Sequence, residues 1–406
     1  MTADDVAFTA NYAIEEKKPS AFLYSFVEGA KAIDKYTVEY KMERPFTPFL
    51  VTTAVDQATW MVCKKAYEEI GEDEFARNPV GAGPFEFVSW EAGAGITLKR
   101  FDKYFKSPLP QLDQIVIRPV LDSNIKKLQL LNGELDFIGQ PDWKDIAELQ
   151  QAPGITVAMT DGWTWNAIVF NMKLPADHPV MKKEVRQAIA YAIDREAIVA
   201  AAYGQGNAVP DDQALPAGYL AADPGVHQYG TKANLEKARE LMAQAGLADG
   251  FTVKGLVDEK LPMRKQLEVI ASQLSEIGIT VEMEQIVGGL TSRFRAGEFE
   301  MGMLDINIMT PDPDSALYWF QHTNTSLNLG YDNPRVDELL DNARSDQDQE
   351  ARKAMYEEVL RNVLDDAPYI YTCHRNMAWA YNRNLTGFLT PKWQGMINLA
   401  PVHWTA

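Results

Sequence analysis

Between Phe251 and Met283 the apolar positions change period twice. Residues Phe251 to Val257 (FTVKGLV) read as a strand, and Leu267, Ile270, Leu274 and Ile277 then recur at the i, i+3, i+7, i+10 spacing of one helix face. Gly278 follows as the residue that ends the helix, and Ile279, Val281 and Met283 alternate as the next strand. Strand, helix and strand within ~35 residues predict a βαβ unit, whose two strands pair in parallel. Helical stripes recur before Gly204 (Val185, Ile189, Ala192) and before Gly246 (Leu235, Ala238, Leu241, Ala245). Nearer the start, Pro79 and Pro84 bracket Gly81 and Gly83 in what reads as a rigid tight turn, after which Phe85, Phe87 and Ser89 alternate with Glu86, Val88 and Trp90 as a strand. With no internal repeat and no low-complexity linker, the pattern predicts an α/β protein.

Composition narrows the function classes. A chain of 406 residues, 46% hydrophobic and 24% charged, has enough material for two or three domains with substantial cores. No stretch approaches the ~18 consecutive apolar residues of a membrane span. The 57 acidic against 39 basic residues give a net charge of −18. That argues against a nucleic-acid partner, because phosphate binding requires clustered Lys and Arg, and the excess most simply favours solubility. Cys63 and Cys373 fit no metal or redox spacing and read as buried free thiols.

Catalytic chemistry is not written in motifs. The chain has no Gly-x-Ser-x-Gly elbow, P-loop, His-Glu-x-x-His or Cys-x-x-Cys. Its histidines (His178, His227, His322, His374, His403) are scattered, and the acid pairs Asp211-Asp212 and Asp365-Asp366 read as solvated turns or helix ends. No metal and no cofactor is expected.

Several segments carry a family resemblance. Residues 77–91 (RNPVGAGPFEFVSWE) resemble the NPVGTGPY-x-F-x-SW signature of the family 5 extracellular solute-binding proteins, the peptide, nickel and opine receptors of bacterial ABC importers. TADDVAF at Thr2–Phe8, LNGELD at Leu131–Asp136, VRQAIAYAIDR at Val185–Arg195, Asp312-Pro313-Asp314 and Asp366–Ile370 are similar to further family segments in the same order, so the likeness spans the chain.

The resemblance implies a periplasmic-binding-protein-like fold of two α/β lobes joined by two crossing hinge strands, with an extra small domain on the first lobe. Residues 1–76 would be the remainder of that small domain, 77–162 the first lobe, 163–380 the second lobe and 381–406 a return to the first. The crossing strands would be Thr164–Phe170 and Met377–Tyr381. A small-molecule or short-peptide ligand would sit between the lobes of a monomer and pass to the membrane permease of an ABC importer, from the periplasm or cell exterior. Met1 stands where the family has an internal apolar residue, so further chain carrying an export signal is expected before it.

Ligand contacts are expected from Trp163 or Trp165, Asn307, Met309, Thr310 and Trp393. Indoles suit stacking on peptide planes, sugar faces or cations, and Trp163 and Trp165 would share one face of the first crossing strand. Trp319 and Tyr318 read as core. Peptide-binding relatives read A-D-Y-x-D-P in the loop of residues 305–314, and their first Asp pairs with the peptide amine. Aligning on Asp312-Pro313 puts Met309 at that position. Asp305 is expected to face elsewhere and not to substitute, while Val287-Gly288-Gly289 suggests a roomier subsite. Three functions remain distinguishable by titration: a receptor for an uncharged, sugar-like, opine or blocked-peptide solute; an ordinary oligopeptide receptor with another amine anchor; and an enzyme whose site escapes motif reading.

Overall fold

The computed structural model describes the chain apart from residues 19, 20, 22, 23, 25, 56–59, 222–224, 389–396 and 406, and apart from the side chains of residues 55 and 261. It forms two compact units, one of Met1–Thr160 with most of the chain after Ala378, the other of Asp161–Met377.

In the first unit the helix Ala3–Glu15 lays Ala7, Ala10 and Ala13 against a hairpin of Val27–Ala32 and Val38–Met42. Leu130, Ile138, Leu149, Ile155 and Ala380 close a second core around a three-stranded sheet that includes Phe137–Gly139, Ile155–Thr160 and the strand beginning at Met377. Phe85–Glu91 is a strand, as expected, and pairs antiparallel with Gly95–Arg100, which pairs with Gln114–Ile117. The turn before it does not depend on its glycines. Neither Gly81 nor Gly83 has a positive φ, and no side-chain or distant backbone atom crowds either one. One face of this sheet is apolar, with Trp90, Ile96 and Ile117 in one row and Phe87, Leu98 and Ile115 in the next, yet none of the six is buried.

The second unit is built on six strands: β1 (Thr164–Phe170), β2 (Ala208–Pro210), β3 (Phe251–Asp258), β4 (Ile279–Ile286), β5 (Met301–Asn307) and β6 (Tyr369–Arg375). Their order is β4-β3-β5-β1-β6-β2. β1 and β6 are buried at every residue, as expected of central strands covered on both faces. The βαβ expectation holds: β3 and β4 run parallel from Phe251↔Ile279 to Asp258↔Ile286, with the helix Leu261–Ser275 as crossover. Leu267, Ile270 and Leu274 are fully buried beneath it.

The helix expected to run up to Gly204 is instead two, Lys183–Ala192 and Arg195–Ala202. Ile193 is extended, and the Asp194 carboxylate accepts from the Ala197 amide at 2.8 Å, so an N-cap restarts the chain after one break. Both cysteines are free, Cys373 buried and Cys63 partly exposed.

The entries to β3 and β4 touch. Gly250 has φ +80°, and a Cβ there would lie 1.8 Å from the Gly278 carbonyl oxygen. Gly246, with φ +73°, faces open space. Gly246→Ala is therefore expected to cost only left-handed strain, about 1–2 kcal/mol. Gly250→Ala should cost clearly more, because a backbone atom must also move. Urea unfolding of the two variants measures the difference, and equal losses would contradict the close approach.

Candidate ligand-binding site

Antiparallel pairing of β1 with β5 sets Thr164 opposite Asn307 and Asn166 opposite Asp305. Just beyond the paired ends, the Ile308 amide donates to the Trp163 carbonyl at 2.8 Å. This brings Trp163, Asn307, Met309 and Thr310 to one end of the sheet. Trp163 is half-buried, with its ring edge-on to Tyr219 at 4.7 Å, and the Tyr219 hydroxyl donates to the Thr310 carbonyl at 2.6 Å. Thr310 is itself buried, and its backbone carbonyl and hydroxyl serve the loop. Met309 projects outward, 49% exposed.

Trp165 belongs elsewhere. It is fully buried, edge-on to Phe320 at 4.9 Å and Tyr371 at 5.5 Å, and a core indole has no surface left for a ligand. Trp393 lies outside the described residues. Tyr318 and Trp319 are half-buried, not core. Val287 is exposed and the two glycines after it lead into the helix Leu290–Ala296.

Sequence reading missed Arg375. Its Nε–H lies 3.0 and 3.2 Å from the two Asp305 carboxylate oxygens, and Nη2 donates to Asn307 Oδ1 at 2.6 Å. Asp305 and Asn307 thus share a face, as the two-residue period of a strand requires, which corrects the expectation that Asp305 points away. The Arg375 backbone is pinned as well: its amide donates to Thr164 Oγ1 at 2.9 Å, and that hydroxyl donates to the Arg375 carbonyl at 3.1 Å. The same carbonyl would lie 2.1 Å from a Cβ on residue 162, so glycine is required there. An arginine inside the otherwise uncharged run YIYTCHRNMAWA was the available signal.

The remaining loop carboxylates are consumed in the same way. Both Asp312 oxygens accept from Arg352 Nη2 at 2.8 Å. Asp314 lies 2.8 Å from Arg344 Nε, and Arg344 stacks 3.5 Å over the Tyr318 ring. Burial pushes the Asp314 carboxyl up to about 6, against the opposing pull of Arg344.

The family model for bacterial extracellular solute-binding proteins, family 5, matches residues 1–328. The chain belongs to that family. Among curated relatives of this solute-binding protein, the glutathione-binding protein GsiB of Pectobacterium atrosepticum is 28% identical over 386 residues, covering 90% of this chain and 72% of the relative. GsiB of Salmonella paratyphi A is 29% identical over 391 residues with the same coverage. Of solved structures, the ABC transporter-associated periplasmic binding protein DppA of Helicobacter pylori, in complex with the peptide STSA, matches with a TM-score of 0.85 at 23% identity, over 99% of this chain and 81% of that one. AgaA of A. tumefaciens with agropinic acid matches with a TM-score of 0.80 at 25% identity, over 100% and 84%. The fold is the two-lobe α/β fold of periplasmic binding proteins. The relatives are solute-binding proteins, not enzymes, and no helix among the described residues is long and apolar enough to cross a membrane.

The buried Asp314–Arg344 pair makes a pH-dependent prediction. Arg344→Met strands a buried carboxylate and should cost about 3–5 kcal/mol near pH 7.5. Without the arginine, Asp314 titrates above its present value of about 6. Its raised folded pKa means that the penalty shrinks as pH falls through that range, where the carboxyl takes up a proton. Urea unfolding at pH 7.5 and pH 5 reads the effect, and a penalty that stays constant would contradict it.

Proposed function

We propose that the protein captures a solute lacking an ordinary peptide N-terminus, such as an opine, a blocked peptide or an oligosaccharide, and hands it to the permease of an ABC importer. One observation carries this reading. In the loop of residues 305–314 all three aspartates face arginines, Asp305 with Arg375, Asp312 with Arg352 and Asp314 with Arg344, while Met309 occupies the exposed position where peptide-binding relatives place the amine anchor. A buried ammonium brought against a thioether, with every nearby carboxylate already paired, would be left uncompensated. A neighbour bound to agropinic acid supports a ligand that differs from an ordinary peptide. Trp163, Asn307 and Met309 form the contact set, with Trp393 retained from the family resemblance. Thr310 acts through the loop backbone, and Trp165 acts only from the core.

In this reading the chain is a monomer, binds no nucleic acid, turns nothing over, and works in the periplasm or at the cell exterior. Residues 1–76 belong to the extra small domain, and Thr164–Phe170 and Met377–Tyr381 are the hinge strands.

Tryptophan-fluorescence titration with glutathione, opines, disaccharides and free dipeptides tests it. Met309→Asp should weaken a neutral ligand by about 1–3 kcal/mol, the cost of an unsatisfied buried polar group, and should strengthen a peptide with a free amine. Tight binding of ordinary dipeptides by the unmodified protein, unaffected by the substitution, would sink this reading in favour of an oligopeptide receptor with another anchor.

A further inference from the structure

The second unit holds a cluster that the ligand site does not use. Asp211 and Asp212 follow β2 directly, His374 lies in β6, and the loop after them brings back His227. These acids are no solvated turn: Asp212 is almost wholly buried, and its Oδ2 accepts from the amides of Gln228, Tyr229 and Gly230 at 3.0, 2.7 and 3.0 Å. Asp211 Oδ1 accepts from the amides of Asp212 and Gln213 at 2.7 and 3.2 Å. Three backbone donors on one oxygen keep Asp212 a carboxylate, leaving its Oδ1 turned to His227 Nδ1.

His374 gives an independent indication. It is only 4% exposed, and its Nδ1 contacts the Thr164 carbonyl. A carbonyl can only accept, so Nδ1 carries a proton, and Nε2 is the ring nitrogen turned toward the acids. That nitrogen has no hydrogen-bond partner and lies 3.3 Å from Asp211 Oδ2. At this range the nitrogen and the carboxylate oxygen can share either a proton or a metal ion.

The distances suit a metal ion. Two ligands, each about 2.1 Å from one tetrahedral zinc, are about 3.4 Å apart. His374 Nε2 to Asp211 Oδ2 is 3.3 Å, and His227 Nδ1 to Asp211 Oδ1 is 3.5 Å. Nδ1 of His227, Oδ1 of Asp212 and an Asp211 oxygen already lie within 4.8 Å of one another. Both imidazoles have the outer partner that metal-bound histidines use: Thr164 for His374, and for His227 the Gln213 carboxamide 3.3 Å from Nε2. Gln213 Oε1 is buried without a partner, and turning the amide over would let it accept from His227 Nε2–H. Nearby Arg195 makes no hydrogen bond to these acids: its Nε and Nη1 donate to the carbonyls of Tyr371, Ala190 and Gly230, and its charge acts on Asp212 and Asp211 through space.

We propose that Asp211, Asp212, His227 and His374 form a binding site for one divalent transition-metal ion of zinc type, separate from the solute site. Two imidazole nitrogens and two carboxylate oxygens are the donor set of borderline divalent ions. The ion ties the loop of residues 211–230 to β6 and β1. His227 closes the outer side of the site, so its direct contact with Asp212 opens to admit the metal.

Full-length protein stripped with a chelator should bind one equivalent of Zn²⁺ in a competition assay and give the visible spectrum of four-coordinate Co²⁺. His227→Gln and Asp211→Asn should each weaken Zn²⁺ at least tenfold, and Zn²⁺ should raise the thermal midpoint of the unmodified protein but not of the variants. His227 is at the partly exposed edge of the cluster, so that variant should fold even if Asp211→Asn does not. Absence of Zn²⁺ binding at micromolar concentration, or affinity unchanged in His227→Gln, would overturn the proposal and leave a cluster that shares protons only.

Discussion

Everything in the second unit hangs on the antiparallel pairing of Thr164–Phe170 with Tyr369–Arg375, two strands about 200 residues apart in the chain. Closing so long a loop costs conformational entropy that only extensive burial can offset. Both strands are buried along their whole length, and the outer strands add to their free sides, Met301–Asn307 on one and Ala208–Pro210 on the other. Polar side chains inside such a pair must find partners there. Asn166 does so four times: its oxygen faces the Tyr203 hydroxyl at 2.6 Å, the Gln266 amide at 3.0 Å and the Cys373 thiol at 3.4 Å, and its nitrogen donates to Asp305 at 2.7 Å. The last bond carries the network outward to Arg375 and the loop where the solute site is proposed.

Arginine is the second theme. In a chain of net charge −18, buried guanidinium groups serve the interior. Arg186 donates to the carbonyls of Val180, Met181 and Asp366, and Arg195 to those of Tyr371, Ala190 and Gly230. Both belong to the VRQAIAYAIDR segment, so that motif supplies clamps on backbone carbonyls of other segments. Burial pushes Arg195 down to about 10, with Asp212 and Asp211 opposing the shift. Arg344, Arg352 and Arg375 use the same rigid fork on carboxylates, which neutralises the loop of residues 305–314 and leaves the apolar Met309 thioether at its exposed position.

Periodicity and punctuation were enough for the local elements. The strand at Phe251, the stripe from Leu267 to Ile277 and the strand at Ile279 appear in place and in parallel, because short-range alternation and a glycine stop depend on neighbours in sequence. The same reasoning failed at Ile193–Asp194, where a cap outweighed an unbroken apolar stripe.

By itself, the sequence determined the α/β class and the family, since each is carried by residue types in order along the chain. Only the tertiary structure decided which indole is core, that Arg375 holds Asp305 and Asn307 together, and that Asp211, Asp212 and His227 converge with His374 against Asp211. Those partners lie from 15 to over two hundred positions apart. Burial and charge pairing depend on distance through space, and no local pattern records that distance.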